Sequence, residues 1–248
     1  MFEPASGMRI LDLAPLPARR DAVARTISDP NLPPAAREQY RQLAAALHNA
    51  QALNGARVVM VASAVGGEGK SLTAANLALT LAESYQRRVL LIDADLRKPS
   101  LDRLLADAAP HDYVESDTSR PWRADVRQLT ARLAMVTRVE PSADPMAELT
   151  SGRVRRLIQD AREDVDWIVV DTPPIAMLPD ASLLTAIVDV AVLVVRAGST
   201  PVDLVKRAVD ILGPKKTLGV VLNAATRPSR QARYGYGYEQ GYGLVTAH

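Results

Sequence analysis

The stretch that decides the fold is ARVVMVASAVGGEGKSLTAANLALTLAESY, residues 56–85. Its first eight residues are largely apolar and rich in valine, which suits a strand buried on both faces. Three glycines follow within four positions (Gly66, Gly67, Gly69), a composition that ends a strand and turns the chain. Beyond them Leu72, Ala75, Leu79 and Ala82 recur at helical spacing, so the expected order is strand, loop, helix. Further strand-like runs occupy 88–95, 132–138, 166–172, 188–197 and 216–224, and helical stretches at 151–164 and 201–213 lie between them. Near-continuous apolar strands alternating with helices predict an α/β fold, a mostly parallel sheet with helices on both faces. Residues 33–53 predict a further helix, with prolines at its start and Tyr40, Leu43 and Leu47 on one face.

The 248 residues suffice for one such domain with a full core. The predicted organisation is an irregular segment over 1–29, the domain over 30–225 and a tail over 226–248. Within the domain, 107–128 is polar and punctuated by proline, and reads as a surface excursion with room for a short helix. The tail holds Arg227, Arg230 and Arg233 and then tyrosine alternating with glycine, a composition that buries little and predicts disorder. Four of the seven tyrosines (Tyr234, Tyr236, Tyr238, Tyr242) fall there.

With no cysteine, disulfide frameworks, thiolate metal sites and thiol nucleophiles are excluded. The first residues lack the pattern of a signal peptide, and the most apolar run, 181–195, is short and carries Asp189, so no transmembrane segment is expected. A net charge of +2 gives no argument for a nucleic-acid partner, and none is expected.

Ala64-x-x-x-x-Gly69-Lys70-Ser71 matches the phosphate-loop pattern except for alanine in place of the first glycine. Glycines let successive backbone N–H groups converge on an anion, and the following helix adds its N-terminal partial charge. Lys70 supplies a mobile cation for the β and γ phosphates, and Ser71 a hydroxyl for Mg²⁺. An ordinary glycine-rich turn leaves GEGKS in this position unexplained.

The metal of such a site needs carboxylates at the carboxyl ends of neighbouring strands. Asp171 follows one apolar run in IVVDTPP, and Asp93 and Asp95 follow another in LLIDADLR, with Arg97 just beyond. Residues two apart on an extended strand point the same way, so Asp93 and Asp95 are both expected to face the phosphates. Spacing alone does not divide their roles between general base and metal shell.

These residues carry a resemblance. The phosphate loop, the Asp-x-Asp-x-Arg motif of VLLIDADLR and the Asp-x-x-Pro of IVVDTPP are similar to Walker A, A′ and B of the bacterial tyrosine kinases of capsule and exopolysaccharide synthesis, within the MinD/ParA-like P-loop ATPases. PSADPMAELTS, LPDA and GVVLN have counterparts there, and the tyrosine-rich C-terminus completes the pattern. The resemblance implies a P-loop NTPase fold and autophosphorylation with ATP and Mg²⁺. Asp95, Lys70 and Asp93 are then the catalytic group, with Asp95 taking the tyrosine proton. Ser71, Asp93 and Asp171 make the metal shell. Gly66, Gly67, Glu68, Gly69, Lys70, Ser71, Leu72, Arg97 and Asn223 bind nucleotide, and the four tail tyrosines accept phosphate. No H-R-D, D-F-G or V-A-I-K motif of eukaryotic-type kinases occurs.

The resemblance also implies a cytoplasmic protein, peripheral at the inner face of the cell membrane. Its partner is a separate membrane polysaccharide co-polymerase or chain-length adaptor, and self-association runs through the helix carrying Glu38 and Arg41. Three positions depart from the family: Gly66 where proline is usual, Leu72 in place of a hydroxyl residue, and Ala44 in place of the second arginine of Glu-x-x-Arg-x-x-Arg. The alternatives are a MinD/ParA-like ATPase switch, against which Val65 replaces the extra lysine of those proteins, and a nucleotide-bound scaffold with weak catalysis.

Overall fold

The computed structural model describes residues 9–12, 26–106, 126–137 and 141–225. Among these the chain forms β1 (Arg9–Asp12), α1 (Pro34–Asn54), β2 (Val58–Ser63), α2 (Lys70–Glu83), β3 (Val89–Asp93), α3 (Leu101–Leu104), β4 (Val126–Thr130) and β5 (Leu133–Val136). There follow α4 (Pro145–Thr150), α5 (Arg153–Ala161), β6 (Trp167–Asp171), α6 (Pro179–Thr185), β7 (Val190–Arg196), α7 (Val202–Leu212) and β8 (Thr217–Asn223). The strands make one sheet in the order β1-β8-β7-β2-β6-β3-β5-β4. Every neighbouring pair is parallel except β4 with β5. This is the predicted α/β fold.

The sheet is apolar on both faces because alternate residues of each central strand are sent to opposite sides. Val59 and Val61 of β2 join Leu43, Leu47, Leu77 and Leu81 on the face covered by α1 and α2. Val58, Met60 and Ala62 join Ile158, Ala208 and Leu212 on the other. Helix α2 lies between the sheet and α1, so every residue from Thr73 to Ala82 is buried, and its sequence is apolar nearly all round. Helix α1 starts on Pro34 and stops at Gly55, whose φ of 72° lets its N–H close back on Gln51 O.

Two expectations are corrected. Residues 1–29 are not irregular throughout, since Arg9–Asp12 adds a parallel edge strand to β8, with Arg9 opposite Gly219 and Asp12 opposite Leu222. Four residues with two apolar side chains carry no usable local pattern, and the pairing edge of β8 defines the strand. The excursion over 107–128 likewise ends in β4, whose polar sequence VRQLT buries only Leu129 because it sits at the opposite edge. Arg127 of β4 reaches Asp102 of α3 at 2.6 Å. The remainder of that excursion, and the predicted tail from 226, lie outside the described residues.

Strands β2, β3, β6, β7 and β8 deliver their carboxyl ends to one edge of the sheet. That edge carries the phosphate loop, Asp93, Asp171, Arg196 and Asn223.

Candidate nucleotide site

The loop between β2 and α2 turns on two glycines in the left-handed region, Gly67 (φ 81°) and Gly69 (φ 92°). A Cβ on Gly69 would stand 2.1 Å from Asn223 Nδ2, so glycine is needed there for close approach as well as for conformation. Gly66 and Gly67 face solvent, and a Cβ on Gly66 would meet nothing. Helix α2 begins at Lys70 with no side chain capping its first turn, which leaves the positive end of the helix directed at the loop's concavity.

Glu68, predicted among the nucleotide contacts, has its backbone in the phosphate loop and its side chain directed elsewhere. Its side chain is turned into the protein and the residue is 1% exposed. One carboxylate oxygen accepts the Val65 N–H at 2.8 Å, and the other accepts the Arg196 N–H at 3.1 Å and the Thr200 hydroxyl. Three donors facing inward outweigh any attraction to the loop's open side. Asn223, expected near the base, donates its amide to Glu68 O at 2.8 Å and accepts the Ala224 N–H.

Lys70 lies almost buried among carboxylates. Its Nζ is 3.1 Å from Asp95 Oδ2, 3.6 Å from Asp171 Oδ1, and donates to Ser71 Oγ at 3.2 Å. Burial alone would lower the ammonium, but Asp171, Asp95 and Asp93 together hold it above the ordinary lysine value. Asp171, at the end of β6, is completely buried, with Lys70 Nζ 3.6 Å from Oδ1 and the Ser71 hydroxyl beside it, and no backbone N–H reaches either carboxylate oxygen. Burial pushes its pKa up to about 7, with Lys70 opposing and Asp93 and Asp95 adding to the rise. A buried carboxylate with no backbone donor, beside a lysine and a serine hydroxyl, fits a hard cation held jointly with phosphate oxygens and water. Among the described residues no group of three acidic, histidine or cysteine side chains forms a self-sufficient metal site.

Asp93 stands opposite Asp171 in the register of β3 and β6. Its Oδ2 accepts the N–H groups of Ser100 (2.8 Å) and Leu101 (3.0 Å), and its Oδ1 that of Asp95 (3.2 Å). Burial raises its pKa and these three donors oppose the rise. Asp93 thus organises the loop from 94 to 101 through three backbone donors, the role this geometry shows for a residue expected in the metal shell. Strand β3 ends at Asp93, so Asp95 is aimed by the turn beyond and not by strand alternation: it accepts the Lys98 N–H at 3.1 Å and faces Lys70.

Strand β6 delivers a brace as well as a carboxylate. The Thr172 hydroxyl donates to Val61 O, and the Ile175 and Ala176 N–H groups donate to Ser63 O and Ala64 O, tying the DTPP turn to the base of the phosphate loop.

A ParA family profile, described as NUBPL iron-transfer P-loop NTPase, matches residues 54–235. The tyrosine-protein kinase YwqD of Bacillus subtilis (strain 168) is 34% identical over 203 residues, which cover 80% of this chain and 85% of that protein. The chain belongs to the bacterial tyrosine kinases of the ParA type. Succinoglycan biosynthesis transport protein ExoP of Rhizobium meliloti (strain 1021) is 36% identical over 194 residues, 75% of this chain but 24% of ExoP. The kinase domain of Escherichia coli tyrosine kinase ETK superposes with a TM-score of 0.68 at 26% identity, covering 84% of this chain and 81% of that one. Membership of a P-loop NTPase family carries nucleotide binding with it.

Within this bacterial tyrosine kinase the remaining predicted residues fall as follows. Ser71 and Leu72 are half-buried at the start of α2, and Arg97 is exposed beyond Asp95. The four tail tyrosines lie outside the described residues. Glu38 and Arg41 are exposed on α1 and pair with each other at 3.4 Å. Ala44 is completely buried against the core, so an arginine at that position would be driven into the apolar layer beneath α1. No helix among the described residues is long and apolar enough to cross a membrane. Arg196 and Thr200, which touch the loop through Glu68, went unmarked in the sequence. Their signal is modest: a glycine and two hydroxyl residues (RAGST, 196–200) directly after an apolar strand.

Proposed function

We propose that this chain is an ATP- and Mg²⁺-dependent tyrosine autokinase that phosphorylates Tyr234, Tyr236, Tyr238 and Tyr242. It works at the inner face of the membrane with a separate polysaccharide co-polymerase in capsule or exopolysaccharide export. The observation that carries the reading is the Lys70–Asp95–Asp171 cluster at the mouth of the phosphate loop, with the Asp171 carboxylate buried and capped by no backbone N–H. Bound Mg²⁺ supplies charge neutralisation for the phosphates. Ser71 and Asp171 are the groups that hold it.

Lys70 leaves Asp95 for the β and γ phosphates when nucleotide enters, because the phosphates carry more charge than the carboxylate it quits. Asp95 is thereby released to accept the phenol proton. The tyrosine oxygen forms its bond to the γ phosphorus as the bond to the bridging oxygen breaks, and ADP leaves. A phenol has a pKa near 10, so a positioned base beside a neutralised phosphate is what the reaction requires. The tail supports the reading: extended, the chain from Thr226 to Tyr242 spans at most roughly 50 Å, long enough for a neighbouring subunit's site.

Incubation of the purified chain with ATP and Mg²⁺, followed by mass spectrometry, tests the proposal. Phosphotyrosine on the tail, absent from Lys70→Met, is the expected result. ATP hydrolysis without labelled tyrosine would make the chain a nucleotide switch instead.

A further inference from the structure

The kinase reading makes no use of Glu68. A carboxylate inside a loop that binds anions has the wrong sign, and at short range its repulsion of phosphate would be substantial in a site shielded from water. Its buried position resolves the difficulty, because each oxygen is covered by donors: the Val65 N–H on Oε2, and the Arg196 N–H and Thr200 hydroxyl on Oε1. Two further bonds fasten the loop's own carbonyls. Asn223 Nδ2 donates to Glu68 O at 2.8 Å, and the Arg196 guanidinium donates to Gly67 O at 3.3 Å. The ends of β2, β7 and β8 therefore converge on a single residue of the phosphate loop.

We propose that Glu68, with Thr200 and Asn223, is a brace that holds the phosphate loop in its anion-binding shape before nucleotide arrives, which makes Glu68 and Thr200 positioning residues for phosphoryl transfer. The inference rests on the nucleotide-binding reading of the loop. It requires a carboxylate in particular: glutamine would turn an NH2 group toward at least one backbone donor, and one buried N–H would lose its acceptor. It also requires a hydroxyl at 200, which donates to Glu68 and stands 3.3 Å from the Arg196 N–H as an acceptor. The fit of Gly69 against Asn223 belongs to the same device, since the amide that holds Glu68 O occupies the space a Cβ would take. Preformed N–H geometry is worth most where charge must be met without reorganisation.

The test compares the full wild-type chain with E68Q, T200V, T200S and the E68Q/T200V double variant. Three quantities are measured: amide hydrogen exchange over 63–72 without nucleotide, binding of Mg²⁺ with a fluorescent ADP analogue, and thermal melting. E68Q and T200V are expected to speed loop exchange about tenfold and weaken binding by about the same factor, while melting shifts by only about 2 °C. T200S should behave like wild type within about twofold, and the double variant should lose no more than E68Q alone, because both residues act through one network. Unchanged loop exchange in E68Q and T200V overturns the brace, as do fully additive losses or a binding loss that follows the fall in melting temperature. A wild type that binds no nucleotide, yet whose loop exchange responds to E68Q, overturns the nucleotide reading and keeps the brace.

Discussion

Asp93 and Asp171 stand side by side on neighbouring strands, the same residue at the same edge of one sheet, and the chain uses them in opposite ways. At the end of β3 the backbone folds back over the carboxylate and supplies three N–H donors. At the end of β6 the chain runs on into Thr172 and two prolines, sends its donors to β2, and leaves the Asp171 carboxylate to the Lys70 ammonium and the Ser71 hydroxyl with no backbone donor. A buried carboxylate capped by backbone donors is a structural joint, whereas one that meets only a lysine and a hydroxyl keeps lone pairs for a cation. The path of the chain after each strand, not the residue type, decides which is which.

The sharpest way to break this contrast is Asp171→Asn. Phosphotyrosine formation should fall on the order of a thousandfold, measured as initial rate at saturating ATP and Mg²⁺. The same substitution should stabilise the metal-free protein at alkaline pH. The Asp171 carboxyl is raised from 3.8 to about 7 by burial. A raised acid costs nothing below about pH 4, where both states are protonated, and its cost grows as the unfolded state ionises, reaching its full value above about pH 7. A rise of about three pKa units corresponds to roughly 4 kcal/mol. Urea unfolding in the presence of a chelator should therefore show stability falling from pH 5 to 8, with Asp171→Asn or added Mg²⁺ flattening the slope. An unchanged slope in Asp171→Asn would remove the charge argument.

Asp95→Asn should lower the transfer rate on the order of a hundredfold while nucleotide affinity, followed by fluorescence titration, changes little, because a base acts in the reaction. Equal losses in both would make Asp95 a metal ligand. For Asp93→Ala the expected effect is on folding: three buried N–H groups lose their acceptor, and the urea midpoint should report a loss of about 2 kcal/mol. Asp93→Ala with unchanged stability would dissolve the distinction between the two carboxylates. The smallest effect belongs to Gly66→Ala, whose Cβ meets nothing. Stability should stay within about 0.5 kcal/mol of wild type.

Much of this architecture was legible in the residues themselves. Valine-rich runs such as 58–61 and 190–195 announce parallel strands covered on both faces, since only full burial favours unbroken apolar sequence. GEGKS after such a run announces a phosphate loop, and Asp171 and Asp95 were marked by standing just past apolar strands. The edge strands escaped because Arg9–Asp12 is only four residues long and Val126–Thr130 buries only Leu129, so their pairing leaves no periodic trace.

The amino-acid sequence by itself determined the layers of the fold, the place of the phosphate loop and the acidic residues around it, because burial and backbone freedom act on local sequence. Only the tertiary structure decided which acid does what. Glu68 turns inward because the end of β7 and Thr200 beyond it arrive with donors, Asp93 is claimed by a loop that returns seven residues later, and Ala44 faces the core because α1 lies against α2. Each of these outcomes depends on partners distant in sequence, and hydrogen bonds between distant residues leave no spacing to read.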